Sequence, residues 1–330
     1  MNDTFKVSVV IPVYNAAAYV TQTVESALEQ PETAEVLLVE DGSPDNALEI
    51  CQALASKYAK VRLLRHPNGE NRGAGASRNL GMRAAQEDYI AFLDADDYYL
   101  PGRFAKAKEV FLTDPACEGV YEAIGMHIED DEGWERWQAS GKPEERIKTV
   151  KEPIDPQELG VELILGEKGH FSLDGLTIKK AVLDKAGYMD EDLRIHQDTN
   201  FIIRAALAAK LFPGSIGKPV TMWRVHKANR VSSPKTRSEK LQDRMNFLYA
   251  TYSWTRKNSE TKARDLLVKL MFGQITSIDE DDLQNTSRIS RVAKRFTQLS
   301  KWIYGHNEFL VEPQFWKSLS LFVYSGGSRS

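Results

Sequence analysis

Between residues 6 and 94 the chain alternates two hydrophobic periods. The segments KVSVVIPVY (6–14), AEVLLVEDGS (34–43), VRLLRH (61–66) and YIAFLD (89–94) are apolar, β-branched runs that read as strands. Between them, YVTQTVESALEQ (19–30) sets Val20, Val24, Ala27 and Leu28 on one helical face. NALEICQALASKYA (46–59) is a second amphipathic pattern, and GASRNLGMRAAQ (75–86) a third helix. Strands that are apolar throughout, separated by helices, predict an α/β fold with a mainly parallel sheet covered on both faces.

Past residue 100 the pattern loosens. Short strands are expected within GVYEAIGMHI (119–128), and a helix over 199–210. Beyond Ser232 charged helical periodicity takes over, so residues 1–232 and 233–330 are expected to form two domains, the second helical. One of its segments, RISRVAKRFTQLSKWI (288–303), gathers Ile289, Val292, Phe296, Leu299 and Ile303 on one face and sets basic residues largely elsewhere. That face suits either packing against FWKSLSLFVY (315–324) or peripheral contact with an anionic membrane surface.

Composition narrows the function classes. The 330 residues are 42% hydrophobic and 27% charged, ordinary for a globular protein. A net charge of -4 argues against nucleic acid as a partner. Cys51 and Cys117 match no metal or redox spacing and are expected as buried thiols in a reducing compartment. The apolar stretch from Val7 follows an acidic start and is broken by Pro12, unlike a signal peptide, and no 18-residue apolar run occurs. A cytoplasmic location is expected, with the inner face of the cell membrane as an alternative.

Open parallel sheets bind ligands beyond the carboxyl ends of their strands. Tyr14 and Asn15, Glu40 and Asp41, and Asp94 to Asp97 all stand at such ends. A dinucleotide fingerprint is missing, since PVYNAA follows the first strand and GAGASR ends in Arg78 where the last glycine belongs. Neither a Walker A lysine nor a G-x-S-x-G elbow occurs. An apolar strand ending in D-x-D suits a divalent cation shared with phosphates, Mn²⁺ or Mg²⁺, which would offset the crowded carboxylates. The competing readings are a solvated acidic turn and an aspartyl-phosphate phosphatase; the acidic runs EDDE (129–132) and DEDD (279–282) are expected as solvated loops. In HFSLDG (170–175), Asp174 is read as near an acceptor or as part of an ordinary turn.

Four elements in order, PVYN, EDGS, NRGAGASRNLG and DADD, resemble the nucleotide-sugar domain of family 2 glycosyltransferases, of GT-A fold, over about residues 5 to 104. The resemblance implies a metal-dependent, inverting transfer from a nucleoside diphosphate sugar, UDP-linked in most relatives, to a glycan or lipid-linked acceptor. It implies that Asp41 binds the base between Pro12 and Tyr14, that Arg78 lies near the phosphates and Asp94 by the ribose, and that Asp96 ligates the metal. It further implies that Asp198, at an expected helix start in DEDLRIHQDTNF, deprotonates the acceptor hydroxyl; an N-cap is the plainer role for such an Asp. In MWRVHKANRVS (222–232), His226 would complete the metal site and Arg224 or Arg230 reach the phosphates. The rival readings are a non-catalytic scaffold of the same fold and a sugar nucleotidyltransferase, which would want a G-x-G-T-R loop where PVYNA stands.

Overall fold

The computed structural model describes residues 5–139, 146–227, 236–276 and 306–324. The chain divides before Thr236 into two compact units.

The first unit is built on β1 (Val7–Val13), β2 (Thr33–Glu40), β3 (Val61–Arg65) and β4 (Tyr89–Phe92), alternating with α1 (Val20–Leu28), α2 (Ala47–Lys57) and α3 (Ala74–Ala84). All four strands are parallel, with Val10 opposite Leu37 on one side and Phe92 on the other. Every residue of β1 is buried, as a central strand covered on both faces must be. Helix α3 lies directly on β1 because Gly81 lacks a side chain; a Cβ there would stand 2.4 Å from Cγ1 of Val10.

Pro12 sits inside this central strand, where a missing N–H ordinarily breaks the ladder. Here it breaks nothing. The bond from Leu93 N–H to Val10 O marks the side that Val10 and Pro12 both face, and the pairing of β4 ends at Val10–Phe92, before Pro12 is reached. The departure of β4 leaves room at the carboxyl edge for the turn that carries Asp94 to Asp97.

The chain continues through β5 (Tyr98–Tyr99), α4 (Ala105–Thr113), β6 (Gly119–Tyr121), β7 (Ile124–Ile128), α5 (Asp131–Ala139), β8 (Ile147–Lys148) and α6 (Leu159–Leu165). Then follow β9 (Leu176–Lys179), α7 (Val182–Ala186), α8 (Gln197–Ala208), β10 (Leu211–Pro213) and β11 (Thr221–Val225). The main sheet has the order β10-β6-β9-β4-β1-β2-β3, with β9 antiparallel to both neighbours. A smaller sheet, β5-β11-β7-β8, stands beside the turn after β4. Its β7 and β11 are parallel, with His127 opposite Arg224. This mixed α/β architecture has the mainly parallel, helix-flanked sheet expected from the sequence.

In the second unit, Thr236 caps α9 (Arg237–Lys257) through a reciprocal box with Glu239. It continues with α10 (Thr261–Thr276) and a helix over Pro313–Tyr324. Tyr252 stacks on Phe309 at 4.2 Å and donates to Oε1 of Glu312, which Arg264 approaches at 3.2 Å on its other oxygen. The segment 288–303, DEDD (279–282) and Arg230 lie outside the described residues. Among the described residues no helix is long and apolar enough to cross a membrane. Cys51 and Cys117 are free and buried, and burial pushes both thiols up to about 12.

Candidate active site

Because β1, β2 and β4 run in one direction, the residues after them meet at one edge. Pro12 is buried near the end of β1, while Tyr14 is 52% exposed just past it. Asp41, buried beyond β2, accepts the N–H groups of Arg72 (2.8 Å) and Gly73 (2.9 Å) on its two carboxylate oxygens. The backbone carbonyl of Asp41 accepts from Asn71 Nδ2. Thus Asp41 ties down the loop that opens α3. Gly73, with φ +88, takes there a conformation that side chains disfavour.

The three clustered aspartates have different partners. Asp94 accepts from Nη2 of Arg78, which is buried on α3. Asp96 places Oδ2 3.0 Å from Nε2 of His226. Asp97 is buried, and its Oδ1 accepts the N–H of Arg224 at 2.9 Å. Their turn is shaped from α1, where Oγ1 of Thr23 lies 2.8 and 2.7 Å from the carbonyl oxygens of Ala95 and Asp97.

Asp174 joins this group. One carboxylate oxygen from each of Asp94, Asp97 and Asp174 falls within 4.8 Å of the others. Burial and the neighbouring Asp94 charge push Asp174 up to about 8, against the pull of Asp97 and Arg78. Burial first, then the charges of Asp96 and Asp174, also raises Asp97 well above the carboxylate range. Buried carboxyls this close share a proton rather than both ionise. Asp174 therefore stands at the aspartate cluster; the turn Leu173–Gly175 delivers it there by running into β9 beside β4.

Arg224 is engaged by protein groups. Its Nη1 donates to Glu129 at 2.6 Å and its Nη2 to Gln22, while the guanidinium lies 4.8 Å from the Tyr98 ring centre and 5.3 Å from that of Tyr19. In the EDDE run, Glu129 is exposed just past β7, yet its N–H bonds to Val225 O, continuing the β7–β11 ladder, and its carboxylate lies beside Arg224. The next turn starts α5, whose Gly133 lies so close to His226 that a Cβ would be 2.5 Å from its Cα.

Asp198 lies half-buried in the first turn of α8, after His196 in a left-handed conformation. Burial alone would raise its pKa, but Arg78, Lys148, the Thr199 N–H and His196 together hold it below the ordinary value. The lowering favours the ionised carboxylate, the form a general base requires.

The pair Asp96 and His226 suits a divalent cation. Two neighbouring ligands at about 2.1 Å from an octahedral ion stand about 3.0 Å apart, the separation of these two atoms. A carboxylate with an imidazole fits Mn²⁺ better than Ca²⁺. The roles of Asp97, Glu129, Tyr19 and Tyr98 are not legible from the sequence. Asn79 was in view within the R-N-L-G motif, without a role.

Residues 8–165 match Glycosyl transferase family 2. An uncharacterized glycosyltransferase of Haemophilus influenzae is 27% identical over 79% of this chain and 82% of its own length. Escherichia coli YibD, likewise an uncharacterized glycosyltransferase, is 38% identical over 41% of this chain and 39% of its own. Chondroitin synthase of Pasteurella multocida is 38% identical over 35% of this chain, a stretch covering 12% of that enzyme. Among solved structures, S. aureus TarS 1-349 in complex with UDP-GlcNAc is similar in fold, with a TM-score of 0.54 and 19% identity over 96% of this chain and 80% of that one.

Proposed function

Since the chain belongs to glycosyl transferase family 2, we propose that it moves a sugar from a UDP-sugar to a hydroxyl of a glycan or lipid-linked acceptor, with inversion. The observation that carries this reading is the pairing of buried Arg78 with Asp94 at the carboxyl edge of the sheet, the same guanidinium whose charge lowers the pKa of Asp198. One buried cation thus links a candidate base to the edge where donors bind in folds of this kind. The UDP-GlcNAc complex of the TarS neighbour supports a UDP-linked donor, and the chondroitin synthase relative supports a glycan product.

On this reading Pro12 and Tyr14 flank the base, and Asp41 accepts its N–H through the lone pairs its loop bonds leave over. Asp94, whose side chain is 43% exposed, meets the ribose. Asp198 takes the proton of the acceptor hydroxyl as that oxygen attacks the anomeric carbon and the bond to the diphosphate oxygen breaks. Arg78 stabilises the charge that develops on the leaving group. Asp96 and His226 would hold Mn²⁺ or Mg²⁺, which supplies charge neutralisation at the diphosphate. Asp174, read from the sequence as near the acceptor, is assigned here to the donor side with Asp97.

The test is a thermal-shift panel of UDP, GDP, ADP and CMP, each with Mn²⁺ and with EDTA. A ligand at 100 times its Kd adds about 2.7 kcal/mol, a shift of several degrees. A shift with UDP that EDTA removes supports the donor class and the metal; no shift with any nucleotide would favour a non-catalytic scaffold. Transfer should be lost in Asp198→Asn with the UDP shift kept, and turnover by that variant would reject its role as base.

A further inference from the structure

We propose that Asn79 is a positioning residue for the transfer, holding the loop that leads to Asp198 in register with α3. The inference rests on the reading of Asp198 as the base. Residues 187 to 196 connect α7 to α8 without regular structure, so nothing in the loop's own backbone ladder determines where Asp198 stands. What determines it is a set of side chains from outside.

Asn79 is almost fully buried, and its amide is spent on this loop. Oδ1 accepts the Met189 N–H at 2.8 Å; Nδ2 donates to Met189 O at 2.9 Å and lies 2.9 Å from Oε1 of Glu191. A side-chain amide thus pairs with a backbone amide 110 residues further along the chain, as one strand residue pairs with another. From the α8 side, Arg204 donates to the carbonyls of Ala186 and Tyr188. Nearer the base, the Gln197 amide, once turned so that its nitrogen faces Leu193 and Arg194, donates to both carbonyls and accepts the Gly75 N–H at 3.2 Å. A Cβ on Gly75 would stand 3.3 Å from Cγ of Gln197, so α3 and the start of α8 are already in close contact.

Helix α3 consequently carries two successive residues with complementary tasks. Arg78 pairs with Asp94 on the donor side, and Asn79 grips the loop before the base. The same segment is anchored at its start by Asp41, and Arg72 bridges to Glu191 at 3.7 Å. The distance between donor and base is therefore set through one rigid helix. A misplacement of about 1 Å in such an arrangement costs on the order of 10²-fold in rate.

The experiment uses the full chain as wild type, Asn79→Ala, Glu191→Ala and Asp198→Asn. Three readouts are taken: amide hydrogen exchange over 186–196, the rate of UDP release from UDP-GlcNAc with Mn²⁺, and the UDP thermal shift. The expected result for Asn79→Ala is faster exchange over 186–196, kcat lower by on the order of 10²-fold, and a donor KM and UDP thermal shift within about twofold of wild type. Glu191→Ala, at a partly exposed position, should show the same changes to a smaller degree. A folded Asn79→Ala with unchanged exchange, or with its loss confined to donor KM, overturns the proposal. Should Asn79→Ala fail to fold, or wild type release no UDP from this donor, unchanged exchange in Glu191→Ala overturns it. Wild-type turnover by Asp198→Asn rejects the base reading and this proposal together; an inactive Asp198→Asn beside unaltered Asn79→Ala and Glu191→Ala rejects this proposal alone.

Discussion

Arg78 donates from its buried guanidinium to Asp94 and, by its charge, also holds down the pKa of Asp198. The consequence is a sign that can be measured. A carboxylate whose folded pKa is lowered stays ionised to lower pH, so the acid limb of kcat should lie below the ordinary carboxylate range. Asp198 is faced by Lys148, His196 and the Thr199 N–H as well, but Arg78 is the largest of the lowering influences. In Arg78→Gln burial would no longer be offset as fully, and the acid limb should move to higher pH. A pH series of UDP release in both proteins checks the direction.

On the proposed reading, the His226 imidazole, 3.0 Å from Asp96, would be a second ligand to the cation. His226→Ala should weaken Mn²⁺ binding by at least about 10-fold while leaving the fold intact, since Asp96 remains partly solvated. Titration of Mn²⁺ followed by its electron paramagnetic resonance reads this without turnover. EDTA should abolish the UDP thermal shift in wild type. Equal Mn²⁺ affinity in His226→Ala would remove His226 from the site.

Arg103 and Glu122 form an ion pair with both side chains fully buried, 2.7 Å apart. Arg103 also lies over the rings of Tyr99 and Phe104. Glu122→Ala strands the guanidinium, and a broken buried pair costs about 3–5 kcal/mol. Urea unfolding of Glu122→Ala should show that loss. The double replacement Arg103→Met with Glu122→Leu should recover most of it, because the desolvation of both charges is then removed.

Asp174 sets the opposite pH sign to Asp198. Its pKa is raised from 3.8 to about 8, chiefly by burial, so the folded protein keeps a proton that the unfolded chain gives up. Stability should therefore fall as pH rises from the ordinary carboxylate range through about 8, then level off. Asp174→Asn, which needs no proton, should lose this part of the pH dependence. Urea midpoints between pH 4 and 9 in EDTA, for wild type and variant, check it.

Apolar patterning made the sheet legible because strands buried on both faces must be apolar along their whole length, and the observed β1 to β4 fall within a few residues of the runs that predicted them. The direction of those strands then required Tyr14, Asp41 and Asp94 to Asp97 to share an edge, whatever their side chains do. Motif order carried the family in the same way. Those readings depend on local spacing, which a linear chain displays.

Side-chain partners depend on approach across the chain, which it does not display. Nothing in the spacing of Asp97 and Asp174 shows that β9 will run beside β4 and bring two carboxyls to one proton. Nor does the EDDE run show that β7 and β11 pair in parallel and set Glu129 beside Arg224. The grip of Asn79 on Met189 is equally long-range. Sequence alone thus determined the sheet, its chemical edge and the family. Tertiary structure decided which charges are paired, shared or left to act, because burial and distance set a group's ionisation and both arise only when remote segments meet.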